Sequence, residues 1–391
     1  MLTNRGLAIV GAGGALLVLW WVLGDQELLL AAAFLLLAAA TAVAYSMTRR
    51  QRLRIMRRLA PPRIHAGDTA RVQLVVDNIG DSTARELRLV DMVEGLGTAE
   101  FELARLGRGE RAEVRYRVLC RSRGVYRVGP ATLTTSDPLH LTETPAPPGP
   151  VDRLVVFPRV EELTGFPTVR AGDPAMDIAR PDRARGGGED FYTLREYQTG
   201  DDLRRVHWPS SAKANELMIR QLETQWQARA LIVLDVRSMA YPSPETFEKA
   251  VSGAASVVAH LVTSGFHADL WAGGPRPVDA SRYEVAMERL ALVDVDPSID
   301  LMSATSLLRQ KGGGGTLVLI TGSPDDDLLN VHELLKREYP NTLLMTVTRA
   351  PNQTLGRFLR AGAVAVSTTP EDDWAEAWMS AMDSSWVTES L

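Results

Sequence analysis

Ala230-Leu-Ile-Val-Leu-Asp-Val-Arg-Ser-Met239 decides how the C-terminal half of this 391-residue chain folds. Five apolar residues run without a polar break, as in a strand buried on both faces, and the run ends on Asp235. A helix is expected from about Pro244 to Ser264, with Phe247, Val251, Ala254, Ala255, Val258 and Leu261 on its apolar face. Beyond it the two patterns alternate. Strands are expected at 268–272, 316–320, 342–348 and 363–367, and helices around 282–292, 299–310, 326–338, 354–359 and 371–382. Such alternation predicts an α/β domain over 229–391, a doubly wound and mostly parallel sheet. Ligands of these sheets bind at the carboxyl ends of the strands, here Asp235–Met239 and Thr321–Asp325. Trp374 and Trp378, four apart, share one face of the last helix, and Trp386 follows. That face reads as packing on the sheet, with a membrane or partner contact as the alternative.

Upstream, residues 151–228 read as a connector. Leu154-Val-Val-Phe157 is a short strand, and Arg185-Gly-Gly-Gly-Glu189 a loop. The connector then carries the most unusual stretch of the chain, Phe191 to Trp208, continuing to Lys213. In it Arg195, Glu196, Asp201, Asp202, Arg204 and Arg205 crowd around Tyr192, Tyr197, Gly200 and Trp208. Two readings stand. One is a contact surface, or an anion or metal site. The other is a salt-bridged plug at a domain junction.

Residues 61–150 read as an antiparallel β-sandwich of immunoglobulin-like type. Residues 70–77, 86–90, 112–119 and 124–128 alternate apolar and polar positions between Gly/Asp turns. Cys120, the sole cysteine, rules out a disulfide framework and reads as a small buried hydrophobe.

Residues 1–60 read as a transmembrane hairpin with a basic flank. Gly6–Gly24 and Leu28–Thr48 contain no charged residue, and each approaches the ~20 apolar residues a span needs. Only Asp25-Gln-Glu27 separates them, so the helices must be antiparallel. Gly11-Ala-Gly-Gly14 lies within the first span and permits close helix packing. Trp20, Trp21 and Tyr45 sit at span ends, and six arginines follow between Arg49 and Arg58. Positive charge at a span end marks the cytoplasmic side, so both termini and the soluble domains are expected in the cytoplasm, below the inner membrane. The net charge of −5 thus divides into +5 on residues 1–60 and −10 on the rest. An acidic soluble part argues against a nucleic-acid partner.

Taken together, Arg123-Gly-Val-Tyr-Arg-Val-Gly-Pro130, Asp137-Pro-Leu139, Val156-Phe-Pro158 and above all Tyr197-Gln-Thr-Gly-Asp-Asp-Leu-Arg-Arg-Val-His-Trp208 resemble the bacterial family catalogued as domain of unknown function fifty-eight. The resemblance implies a von Willebrand factor A-like fold for the last domain. It also implies association with a MoxR-type AAA+ ATPase and other cell-envelope proteins, and supplies no activity.

Domains of the A type often hold Mg²⁺ through an Asp-x-Ser-x-Ser turn plus later Thr and Asp oxygens, because a hard cation wants carboxylate and hydroxyl ligands. Here Asp235 is in place, but Arg237 and Met239 stand where the hydroxyls belong and Ser238 is off register. The candidate ligands are therefore Asp235, Ser238 and Thr321, a degenerate set, with Asp325 and Asp326 nearby. The expectation is that Arg237 pairs with Asp235 and no cofactor is held. Catalytic patterns are absent. Lys311-Gly-Gly-Gly-Gly-Thr316 lacks the P-loop lysine, the six histidines have no zinc spacing, and there is no Gly-x-Ser-x-Gly. A non-catalytic, membrane-anchored interaction protein is expected. The alternatives are a metal-dependent adhesion-type module, or an enzyme acting on envelope precursors with Asp201, Asp202 or His207 as acid or base.

Overall fold

The computed structural model describes residues 2–48, 52–166, 192–197, 206–214, 216–222, 229–309, 315–350 and 352–386. The chain divides into two units, Met1–Arg159 and Val160–Leu391.

The first unit opens with an antiparallel hairpin of α1 (Asn4–Leu23) and α2 (Gln26–Thr48). Thr3 caps α1 by accepting from the Gly6 amide (3.1 Å), and Gly24 ends it in the left-handed region (φ 70°) that favours glycine. Gly13 lies against Leu36 so closely that a Cβ would stand 2.9 Å from it, whereas Gly11 and Gly14 face open space. Of the small-residue run, Gly13 alone makes the close helix approach.

Two sheets follow. β1 (Leu53–Ala60), β2 (Arg63–His65), β3 (Thr69–Asn78), β4 (Leu87–Val93), β5 (Gly97–Leu103), β6 (Arg111–Leu119), β7 (Gly124–Val128), β8 (Thr132–Ser136), β9 (Glu143–Pro145) and β10 (Asp152–Phe157) are its strands among the described residues. One sheet has the order β1-β3-β6; the other is β2-β10-β7-β4-β8-β9, with β5 also on β4. Leu53, Ile55, Leu74 and Val76 of the first bury against Leu87, Leu89 and Leu133 of the second, and Cys120 is buried too. All pairs are antiparallel except β10 with β2.

Two boundaries differ from the sequence expectation. Leu53–Ala60, assigned above to the basic flank, pairs with β3 along its whole length. The reason is Arg57. Its side chain is shielded from solvent and binds the buried Asp91 carboxylate, Asp152 (3.2 Å) and the Val128 carbonyl (2.9 Å). Tyr116 donates to the same Asp91 (2.6 Å). Leu154–Phe157, assigned to the connector, lies within β10, paired to β7 and β2, because Leu154 and Val156 complete the core.

In the second unit, β11 (Tyr192–Glu196) pairs antiparallel with β12 (Met218–Leu222), and α3 (Trp208–Ala214) lies between them in sequence. The α/β part contains β13 (Arg229–Leu234), α4 (Pro244–Thr263), β14 (His267–Trp271), β15 (Val278–Asp279), α5 (Tyr283–Leu292), α6 (Leu301–Arg309), β16 (Thr316–Thr321), α7 (Asp326–Leu335), β17 (Asn341–Val347), α8 (Gln353–Arg360), β18 (Val364–Thr368) and α9 (Trp374–Trp386). The sheet order is β15-β14-β13-β16-β17-β18, parallel except for β15. The chain leaves β13 toward β14 and later returns to its other side at β16. The crevice between the ends of β13 and β16 is therefore the topological switch point.

Trp374 and Trp378 are fully buried, Trp374 donating to the Lys249 carbonyl (2.9 Å) and Trp378 to that of Thr164 (3.2 Å). Packing, not a membrane face, is their role. Glu161 fastens this corner: it binds Lys249 (2.7 Å) and accepts from the first amides of α9, Trp374 (2.5 Å) and Ala375 (3.3 Å). On α4, a Cβ at Gly253 would lie 2.7 Å from the Trp374 ring. Gly253→Ala is therefore expected to destabilise by overpacking, about 1–3 kcal/mol, against a helix-propensity gain of about 1 kcal/mol. Thermal melting of the variant checks the sign.

Candidate functional site at the strand ends

Asp235 continues β13 by one residue, its amide donating to the Ile320 carbonyl of β16 (2.8 Å). This places a fully buried carboxylate at the switch point. Arg237, also buried, turns back over it. Its amide (3.1 Å) and Nε (3.0 Å) donate to Asp235 Oδ1, and its Nη2 donates to Oδ2 (2.9 Å). Thr321, the last residue of β16, donates its hydroxyl to Oδ2 (3.0 Å). The other edge of the guanidinium grips Asp325 in a two-pronged pair (2.8 and 2.9 Å), with Asp327 3.5 Å away. Asp325 is itself the N-cap of α7, accepting from the Leu328 amide (2.9 Å).

The surrounding loops fix this arrangement. Tyr241 donates its hydroxyl to the Asp235 carbonyl. Ser323 donates its amide to the Ala240 carbonyl (2.9 Å), and a Cβ at Gly322 would stand only 2.2 Å from that oxygen. A side chain at 322 would push apart the two loops that carry Arg237 and Asp325.

The charges respond to burial and pairing in opposite senses. Burial disfavours the charge on Arg237, but its bonds to Asp235 and Asp325 outweigh that and hold its pKa above the ordinary value. Burial likewise raises the Asp325 carboxyl, but Arg237 and the Leu328 amide more than reverse this and hold it below the usual range. Burial and the neighbouring Asp235 charge push the Tyr241 hydroxyl well up.

As arranged, the donor set does not fit a divalent cation. Asp235 and Thr321 meet, but one edge of the guanidinium occupies both oxygens of the Asp235 carboxylate and the other edge holds Asp325. Ser238 lies exposed in the next turn, Ser238–Ala240, and Asp326 pairs with Arg357 instead. Met239, in the same turn as Ser238, is 75% exposed, and the Asp327 carboxylate is also largely open to solvent.

Of the second candidate surface, Gly200, Asp201, Asp202, Arg204 and Arg205 lie outside the described residues. Arg195 and Glu196 stand on β11 opposite Ile219 and Met218. Tyr197 donates its amide to the Leu217 carbonyl (2.8 Å), and Trp208 begins α3 exposed to solvent. His207 caps that helix locally. Its ring Nδ1 lies 2.7 Å from Ser210 Oγ, and Ser211 Oγ donates to its carbonyl (3.0 Å). Ser211 also accepts from the Met218 amide (2.8 Å), tying α3 to β12.

The model of the family described as "Protein of unknown function DUF58" matches residues 193–271. The match takes in 79 of the 391 residues. The DUF58 match begins in β11 and ends with β14, so Tyr197–Trp208, Asp235 and Arg237 fall inside it. No curated protein matches the chain. Among solved structures, the CARDB domain of the PF1109 protein from Pyrococcus furiosus, in complex with di-metal ions, is 15% identical. It covers 27% of this chain and 88% of its own, at a TM-score of 0.22. Alkylpurine DNA glycosylase AlkC from Pseudomonas fluorescens is 13% identical, covering 32% and 40%, at 0.19. A β-glucosidase from Listeria innocua is 15% identical, covering 25% and 16%, at 0.17. Likenesses at these scores carry no argument about function.

Proposed function

We propose that this DUF58 chain is a membrane-anchored, non-catalytic interaction protein. In this reading the α1–α2 hairpin crosses the inner membrane twice and leaves both termini and all soluble parts in the cytoplasm. Two charge-free spans, a short turn and the arginines after α2 support it. The first unit's sheets are read as an immunoglobulin-like sandwich, and the second unit as a von Willebrand factor A-like domain. Its partner, on the family resemblance, is a MoxR-type AAA+ ATPase working in the cell envelope.

One observation carries the interaction reading. At the switch point, where this class of sheet presents ligands, Arg237 supplies from within the chain the positive charge that an A-type domain takes from a metal. Next to it Met239 projects bare into solvent. A site so filled suits a metal-independent protein contact better than chemistry. Photocrosslinking from position 239 of the membrane-embedded chain to the purified ATPase tests this. Adducts are expected at 239 and not at exposed Met379 of α9. Equal labelling from both positions, or none, would count against the strand ends as the contact.

The adhesion-type reading rests on the meeting of Thr321 with Asp235, the pair a cation would share. It requires Arg237 to leave, and its test is given in the Discussion.

A further inference from the structure

The start of α1 is bonded to the β-rich part of the same unit. The Thr3 amide donates to the Leu141 carbonyl (2.9 Å), its hydroxyl donates to the His140 carbonyl (2.8 Å), and Leu2 pairs with Thr142 as a β-bridge. Gly6 lies under this loop, where a Cβ would stand 2.2 Å from the Leu141 oxygen. Glycine is required for the contact. The loop is held in shape independently of the helix. The buried Asp137 carboxylate accepts from the Leu139 amide (2.8 Å), the Thr142 amide (2.5 Å) and the Thr142 hydroxyl (2.9 Å). It can therefore carry His140 in the left-handed region (φ 54°), where a non-glycine residue is strained.

If α1 spans a bilayer, Thr3 lies where the span begins. A 20-residue helix is about 30 Å long, the thickness of the hydrocarbon core. Loop 137–142, in hydrogen-bond contact with Thr3, then lies in the headgroup layer. A second attachment marks the same end of the sheets. Arg52, four residues past α2, accepts from the Ile79 amide (2.9 Å). The Asn78 side chain donates to Ser82 (2.8 Å), Leu106 (3.0 Å) and Gly107 (3.0 Å), gathering the neighbouring loops. Ala84 pairs with Leu106, and Ser136 donates to Glu86, closing the circuit back to Asp137. This end exposes the apolar side chains of Leu139 (58%) and Ile79 (53%), and with them Arg52, Arg85, Arg105 and Arg108. Its acids are partly engaged: Asp81 lies 3.3 Å from Arg108, Glu86 3.8 Å from His140, and Glu110 accepts from the Gly107 amide (2.6 Å).

We infer that the β-rich part stands end-on on the bilayer. Leu139 and Ile79 enter the interfacial layer, and Arg52, Arg85 and Arg105 lie against anionic headgroups. Apolar tips ringed by arginine match the chemistry of that layer. The inference rests on the anchor reading above.

The test uses the full chain in phosphatidylcholine–phosphatidylglycerol vesicles. An environment-sensitive fluorophore is attached at Leu139→Cys, Ile79→Cys or, as control, Leu96→Cys in the β4–β5 turn. That turn lies a strand length, about 20 Å, away. The wild-type chain, whose only cysteine is buried, gives the labelling background. Melting curves confirm that each variant is folded. Lipid spin-labelled near the headgroup is expected to quench the probes at 139 and 79 at least twofold more than the probe at 96. Pure phosphatidylcholine is expected to weaken that quenching; no weakening would overturn the role of the arginines. Quenching at 139 and 79 no greater than at 96 would overturn the seating itself. Alkaline carbonate extraction separates the two hypotheses: a chain that stays in the membrane while its probes read water fails the seating alone, and a chain that is released fails the anchor.

Discussion

Arg57→Ala is expected to cost the first unit about 3–5 kcal/mol, the range for removing one partner of a buried ion pair. The substitution leaves the Asp91 carboxyl buried without its guanidinium, with the Tyr116 hydroxyl as its one remaining side-chain donor among the described residues. It also strips donors from the Val128 carbonyl. Desolvation already counts against this pair, so the variant loses the attraction and keeps the penalty. Urea unfolding of the full chain in micelles, followed by the β-sheet circular dichroism signal, reads the change. The neighbouring Arg58 is exposed, and Arg58→Ala should lie within about 0.5 kcal/mol of wild type. Arg57→Met with Asp91→Leu is expected to recover much of the loss, because an apolar pair of similar volume needs no compensation. If Arg57→Ala is as harmless as Arg58→Ala, Arg57 is a lipid-facing cation after all.

Arg237→Ser should be comparably severe for the second unit, about 3–5 kcal/mol by the same reasoning. Asp235 is then buried with Thr321 as its remaining side-chain donor among the described residues, and Asp325 keeps its cap to Leu328. The variant also offers what wild type does not, two unpaired carboxylates and a hydroxyl facing one vacated position. Millimolar Mg²⁺ is expected to raise the melting temperature of Arg237→Ser and to leave wild type unmoved, since only a ligand of the folded state stabilises it. A wild-type melting shift that Asp235→Asn abolishes would establish the adhesion-type reading instead. The pH dependence has a definite sign. The Asp325 carboxyl is held below its unfolded value, so its contribution is present at neutral pH. It is lost as pH falls from about 4, the ordinary carboxylate range, through the lower folded value. Melting wild type and Arg237→Ser between pH 6 and 3 should show a shallower acid loss in the variant.

These two arginines also show what the sequence could and could not say. Arg237 was legible because its partner lies two residues away, in a turn whose chemistry is set by the strand before it. The buried runs at β13, β16 and β17, and the charge-free helices α1 and α2, were legible for the same local reason. Arg57 was not. In Leu53-Arg-Ile-Met-Arg-Arg-Leu-Ala60 the arginines mask a period-two pattern, and next to a charge-free apolar helix their density reads as a lipid-facing flank. Its partners, Asp91 and Asp152, are 34 and 95 residues away. Asp325 was visible as a carboxylate near the site, but as a ligand for metal; that it serves Arg237 follows only from the register of β13 and β16. Glu161 gave no signal at all, because its partners on α9 lie more than 200 residues on.

On the proposal above, the strand ends of this chain bind a protein partner. This is tested most directly by the affinity of the full chain, in vesicles, for the purified MoxR-type ATPase, wild type against Met239→Asp. Met239 is exposed and outside the Arg237 network, so the melting temperature should not change. Saturable binding, weakened at least tenfold by the aspartate, roughly 1.4 kcal/mol, is expected. Binding of equal strength in both, or in neither, would contradict the proposal.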